Sequence, residues 1–142
     1  TYSKNILEKI ADLAAGDARI AIQTLRNAAY NAERKGKRRI EEDDVKQGFE
    51  EVSEIKRKYT LQKLSEHHRL IYQIIKENPG ITSGKLLTSY RELCRKMGLH
   101  PKSNRSVNNY ISTLLGFDLI RSERIKIRGN VRKFYETRRP NN

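Results

Sequence analysis

The sequence predicts a mainly α chain in two parts. Residues 1–60 read as a three-helix bundle, and residues 61–142 as a winged helix-turn-helix, three helices closed by a β-hairpin. Three observations predict this. Apolar residues recur at helical spacing in six successive segments, most of them stopped by glycine. After the sixth come two β-rich runs, 119–127 and 131–137, on either side of Arg128-Gly129-Asn130, a hairpin turn signal. The charge is also uneven. Residues 1–58 hold 13 Lys/Arg against 11 Asp/Glu, a net of +2, whereas residues 59–142 hold 17 against 6, a net of +11. A polyanion is the expected partner of the second half.

The first helix is expected over residues 5–15, with Ile6, Leu7, Ile10, Ala11 and Ala14 on one face and Gly16 as its stop. Asp17 can cap a second helix over residues 18–35, with Ala18, Ala21, Ile22, Leu25, Ala28, Ala29 and Ala32 inward and Gly36 at its end. Glu41, Glu42, Asp43 and Asp44 crowd the first turn of a third helix, where acids complement the dipole. Val45, Phe49, Val52 and Ile55 mark its buried stripe. Whether this helix continues through residues 54–60 or breaks there is left open by the pattern.

A fourth helical stripe runs through Leu61, Leu64, His68, Leu70, Ile71, Ile74 and Ile75 and stops at Asn78-Pro79-Gly80. Thr82 or Ser83 can cap the fifth helix, with Leu86, Leu87, Tyr90, Leu93 and Met97 inward and Gly98 at the end. Residues 99–102 form the turn into the sixth, which Ser103 caps. Val107, Ile111 and Leu114 form its inward stripe, flanked by Tyr110 and Leu115, and Gly116 stands where a C-terminal cap is expected. Its other face carries Arg105, Ser106, Asn108, Asn109, Ser112 and Thr113. Helix, helix, turn, helix, hairpin is the winged-helix order, with residues 103–116 in the recognition position.

Duplex DNA is therefore the expected ligand. Arg105, Asn108 and Asn109 are the expected base-edge readers, because Arg and Asn forks match guanine and adenine. Lys102, Ser103, Asn104 and Ser106, around the helix N-terminus, suit phosphates. Lys126, Arg128, Arg132 and Lys133 should grip the backbone, and Gly129-Asn130 lets the hairpin tip come close. If each of those four cations neutralises one phosphate, log K falls with log salt with a slope of about −3.6 from the hairpin alone.

Other chemistries find little support. No apolar run approaches the roughly 20 residues of a membrane span. Cys94 is the only cysteine, which excludes an intrachain disulfide and fits a reducing compartment. His67, His68, His100 and Cys94 lack metal-ligand spacing, and adjacent helical histidines point about 100° apart. No metal site is expected. The run Gly80-Ile81-Thr82-Ser83-Gly84-Lys85-Leu86 is one residue too short for a nucleotide phosphate loop and lacks the hydroxyl after Lys85. The chain enters at Thr1 within a helical pattern and is expected to be a piece of a longer protein.

The segment Gly16-Asp17-Ala18-Arg19, followed by Ile20-Ala21-Ile22-Gln23-Thr24-Leu25-Arg26-Asn27-Ala28, resembles the lid subdomain of AAA+ ATPases of the origin-recognition and cell-division-control type. The resemblance makes Arg19 the second sensor, which touches the terminal phosphate of ATP held on a base domain. Leu61-x-x-Leu64-x-x-His67-His68-Arg69-Leu70-Ile71 and Leu114-Leu115-Gly116-Phe117-Asp118-Leu119-Ile120 resemble the winged-helix domain of archaeal initiators of that family. It covers residues 5–138 and implies a lid at 1–60 and a winged-helix domain at 61–142. The base domain is absent, so the chain as given is expected to be no enzyme and to hold no cofactor. The parent would be an AAA+ ATPase using ATP/ADP with magnesium. The resemblance further implies origin DNA and the replicative helicase as partners, a cytoplasmic, nucleoid-associated location, and a monomer in the absence of DNA. Two alternatives stay open: a winged-helix transcription regulator with a dimerisation arm, and a protein-interaction module whose basic face grips an acidic surface.

Overall fold

The computed structural model describes residues 3–126 and 130–137. The chain divides into two compact units between Tyr59 and Thr60.

The first unit opens with α1 (Lys4–Ala14), capped by Ser3, and α2 (Ala18–Arg34), capped by Asp17. Between them Ala15 and Gly16 both take left-handed backbone, φ 49° and 85°, a demand that glycine meets at least cost. The buried faces are narrower than the periodicity predicts. Ile6, Ile10 and Ala14 are buried on α1, while Leu7 and Ala11 are exposed. On α2 the buried residues are Thr24, Ala28, Asn31 and Ala32; Ala18, Ile22 and Ala29 face outward. Close packing explains the change of face. A Cβ on Gly48 would stand 3.0 Å from the Ala28 nitrogen and 3.0 Å from the Thr24 carbonyl. That approach selects small side chains on α2 and lets Asn31 Nδ2 donate to Glu51 Oε1 at 3.1 Å.

Helix α3 (Glu42–Lys63) continues through the stretch that the pattern left open. Val45, Phe49 and Val52 are buried, but Ile55 is 67% exposed and lies outside the stripe. The acidic first turn is an ion-pair hub. Asp44, fully buried, accepts from Lys35 Nζ at 3.0 Å, Lys37 Nζ at 3.3 Å and the Glu41 N–H at 2.9 Å. Burial alone would raise the Asp44 carboxyl; the Glu41 N–H and the two ammoniums reverse that and hold it below the usual carboxylate range. Lys37 is pushed above its ordinary value, first by its bond to Glu41. The acids are thereby spent on a helix N-terminus and its counter-ions.

In the second unit α4 (Glu66–Glu77) is followed by β1 (Ile81–Thr82), α5 (Ser83–Lys96), α6 (Asn104–Gly116), β2 (Ile120–Lys126) and β3 (Asn130–Glu136). The fourth stripe was expected to run unbroken from Leu61. It is interrupted instead, because Ser65 caps α4 and leaves Leu61 on α3 and Leu64 at the break. The sheet order is β1-β3-β2, all antiparallel. The short β1 was not legible as a strand: two residues carry no period, and only pairing with Phe134 and Lys133 defines it. Ile71, Ile75, Leu86, Tyr90, Cys94, Val107, Leu114, Ile120 and Phe134 form one core. Met97, expected inward, is 51% exposed, and Cys94 is buried in its stead. Gly116 is not the cap; α6 runs through it, Phe117 caps, and Asp118 takes the left-handed turn at φ 58°.

Candidate nucleic-acid interface

Helix α6 has two faces. Val107, Ile111 and Leu114 are buried in the core, which fixes the helix rotation. Arg105, Asn108, Asn109 and Ser112 are all exposed and stand at i, i+3, i+4 and i+7, a single outward stripe. Ser106 and Thr113 are half-buried at its margin. Ser103 caps the helix by accepting from the Ser106 N–H at 3.2 Å, and its hydroxyl lies 3.2 Å from that of Ser106. The side chain of Lys102 is exposed, while its backbone N–H donates to the Tyr90 hydroxyl at 2.9 Å. That bond ties the turn to α5. Burial pushes the Tyr90 hydroxyl above its ordinary pKa, so it stays a neutral hydrogen-bonding group at physiological pH.

Sequence reasoning missed Arg91. It lies exposed on α5 and donates to Asn104 Oδ1, so the Asn104 carbonyl oxygen is engaged and a guanidinium is brought to the N-terminus of α6. Only the packing of α5 beside α6 could have placed it there.

The hairpin register sorts the cations. Residues directly opposite share a face. Arg124 pairs with Arg132 and lies two residues from Lys126, so these three share the face that carries Phe134 into the core. Lys133 pairs with Glu123 on the other face, where it lines a cleft with Lys85 and Thr82 at the start of α5. The expected group of Lys126, Arg132 and Lys133 is therefore divided, and Arg124, unforeseen, joins the first two. Two arginines directly opposite repel, an arrangement an anion between them would relieve. Arg132 is also held over the Phe134 ring at 5.0 Å, and Arg121 over Tyr135 at 4.4 Å. Asn130 pairs with Lys126 in the ladder. Arg128 and Gly129 lie outside the described residues.

In the first unit, Arg19 sits exposed in the first turn of α2. Asp17 Oδ1 accepts from the N–H groups of Arg19 at 3.0 Å and Ile20 at 3.2 Å. Gly16 and Asp17 are thus accounted for by the turn and the cap, and Arg19 is the exposed cation of the motif. The Gly80–Lys85 run forms β1 and the start of α5, where the Thr82 hydroxyl caps the helix.

Among the described residues, no helix is long and apolar enough to cross a membrane. Residues 1–50 match the Cdc6 AAA+ ATPase-type lid domain, and residues 60–138 match the CDC6 C-terminal winged helix domain. The leading helices thus match a lid. The chain is 34% identical over 120 residues to the ORC1-type DNA replication protein 9 of Halobacterium salinarum, covering 84% of this chain and 32% of that protein. It is 30% identical over 132 residues to the ORC1-type DNA replication protein of Cenarchaeum symbiosum, covering 92% and 32%. It spans about a third of the length of these relatives. Among solved structures it is similar to the Aeropyrum pernix ORC1 protein in complex with DNA, with a TM-score of 0.74, 25% identity, and coverage of 95% of this chain and 38% of that one.

Proposed function

This chain belongs to the ORC1/Cdc6 family of DNA replication initiators, and from that premise we propose that residues 61–142 bind duplex DNA sequence-specifically at replication origins. Residues 1–60 would serve as the lid of a parent AAA+ ATPase that helps load the replicative helicase. The observation that carries this reading is the outward stripe Arg105, Asn108, Asn109 and Ser112 on a helix locked by its core face, beside a hairpin face bearing Arg124, Lys126 and Arg132. The similar Aeropyrum pernix protein was solved with DNA, which supports the same ligand here.

In this reading α6 enters the major groove. Arg105, Asn108 and Asn109 meet base edges, where a guanidinium matches guanine O6 and N7 and a carboxamide matches adenine N6 and N7. Lys102, Ser103, Asn104 and Ser106, with Arg91 held against Asn104, face phosphates at the helix start. The hairpin cations, Arg128 and Lys133 among them, would follow the neighbouring backbone, with Gly129-Asn130 allowing a close approach. Arg19 suits the sensor role, since an exposed, always-charged guanidinium on a capped first turn can meet a terminal phosphate held on another domain. ATP with magnesium would be bound by the parent's base domain; this chain would be a monomer in the absence of DNA, and its location cytoplasmic and nucleoid-associated.

The test is selection of a duplex from a genomic fragment library, followed by substitution. Arg105→Ala or Asn109→Ala is expected to cost about 1–3 kcal/mol of discrimination between the selected site and its single-base variants. An equal loss on every sequence would remove that residue from the readers.

A further inference from the structure

Four side chains meet behind the exposed stripe of α6. Tyr110, on α6 itself, lies parallel to the His67 ring, with centroids 6.0 Å apart and planes 6° apart. The His68 ring meets Tyr110 edge-on at 4.5 Å. His67 also faces Tyr90 edge-on at 5.8 Å, and its Nδ1 lies 2.8 Å from the Tyr90 hydroxyl. That hydroxyl accepts from the Lys102 N–H, so its own proton is free to be donated to His67 Nδ1. The two histidines thus join the start of α4, the turn before α6, and α6 one residue after Asn109. Nothing in the DNA reading uses them.

His68 has a second task. It stands at the third position of α4, and its Nδ1 accepts from the Ser65 backbone N–H at 3.2 Å. A backbone N–H can only donate, so Nδ1 must carry a lone pair and the ring proton must sit on Nε2. The Ser65 hydroxyl lies 2.6 Å from the same nitrogen and accepts from the His68 N–H at 3.3 Å. This is a capping box in which histidine stands where Glu or Gln is usual. Glu and Gln accept at any physiological pH. A histidine accepts only while neutral.

We propose that His68 is a proton-sensitive positioning residue for the recognition helix: when neutral it closes the cap of α4 and seats Tyr110, and when protonated it loses the cap and releases that seat. The inference rests on the DNA reading for its consequence, though not for the switch itself. The groups that face His68 favour the neutral form. Burial, then His67, then the Arg69 guanidinium hold its pKa below the ordinary value of 6.5. Tyr110 from α6 meets the ring edge-on, and Tyr90 from α5, across His67, presents a hydroxyl that burial keeps neutral. A folded pKa below the unfolded one places the stabilisation above about pH 6.5; it is lost as pH falls toward the depressed folded value. DNA phosphates do not titrate there.

The test uses the 142-residue chain and His68→Gln, which keeps an acceptor for Ser65 without a titrating ring. Affinity for the selected duplex is measured at constant salt at pH 7.5 and 5.5. The wild type is expected to lose about fivefold relative to the variant, the size of one helix cap. Identical pH profiles overturn the proposal. In a second arm, NMR of the DNA-free wild type follows the His68 ring protons and the α6 amides. The expected result is an apparent His68 pKa below 6.5 with the amides around Tyr110 shifting in step; α6 amides indifferent to that titration overturn it. If no duplex is selected at any pH, the DNA reading fails, and the NMR arm decides the switch by itself.

Discussion

Replacing Arg124, Lys126 and Arg132 together with alanine is expected to flatten the salt dependence of duplex binding by about 2.7 in d log K/d log salt, one phosphate contact being worth about 0.9. At roughly physiological salt that corresponds to about a hundredfold loss of affinity. The three share one face of the hairpin, so a single DNA backbone can meet all of them. Lys133, beside Glu123 on the other face, is expected to add a smaller remainder, because the opposed carboxylate offsets its charge. Sequence preference should survive, since contacts to phosphates carry no sequence information directly. The measurement is a titration of the selected duplex and a scrambled one at several salt concentrations. An unchanged slope in the triple variant removes the hairpin from the interface.

Phe134→Ala is expected to destabilise the second unit by about 3–5 kcal/mol. Phe134 is fully buried on the central strand, paired with Ile81 of β1 and Ser122 of β2. Its carbonyl also accepts from the Gly80 N–H at 2.9 Å. Truncation leaves a cavity where sheet and helices meet, in a core that includes Ile71, Leu86 and Tyr90. It also removes the ring under Arg132. Native-state hydrogen exchange at Ile71 and Val107 reads the effect. A change below about 1 kcal/mol would mean that the sheet is not anchored through this ring.

The sequence made helix existence legible wherever a strong period met a cap. Ser103, Asp17 and Thr82 are caps because a short hydroxyl or carboxylate precedes an apolar stripe, and each accepts from the first turn. The outward stripe of α6 followed from the same period, since Val107, Ile111 and Leu114 leave one face for Arg105, Asn108 and Asn109. Buried faces in the first unit were less legible. Alanine is apolar but small, so Ala18 and Ala29 lose little in water, while Thr24 is held inward by the approach at Gly48 and Asn31 meets Glu51 of α3. Facts set by pairing between distant segments were not legible at all. The grouping of Arg124 with Arg132, the separation of Lys133, and Arg91 reaching Asn104 depend on register and packing that no local period encodes. His68 as a capping residue escaped for another reason: histidine in an apolar stripe reads as core, and the break at Ser65 hides inside a run that looks continuous.

The most direct test of the DNA account is the ratio of affinities for a duplex selected from a genomic library and for random duplex of equal length, measured at physiological salt. A reading helix backed by cations predicts a ratio of at least about a thousandfold, reduced by Asn109→Ala. A ratio near one, with affinity that only tracks salt, would contradict sequence reading by α6 and leave a merely cationic surface.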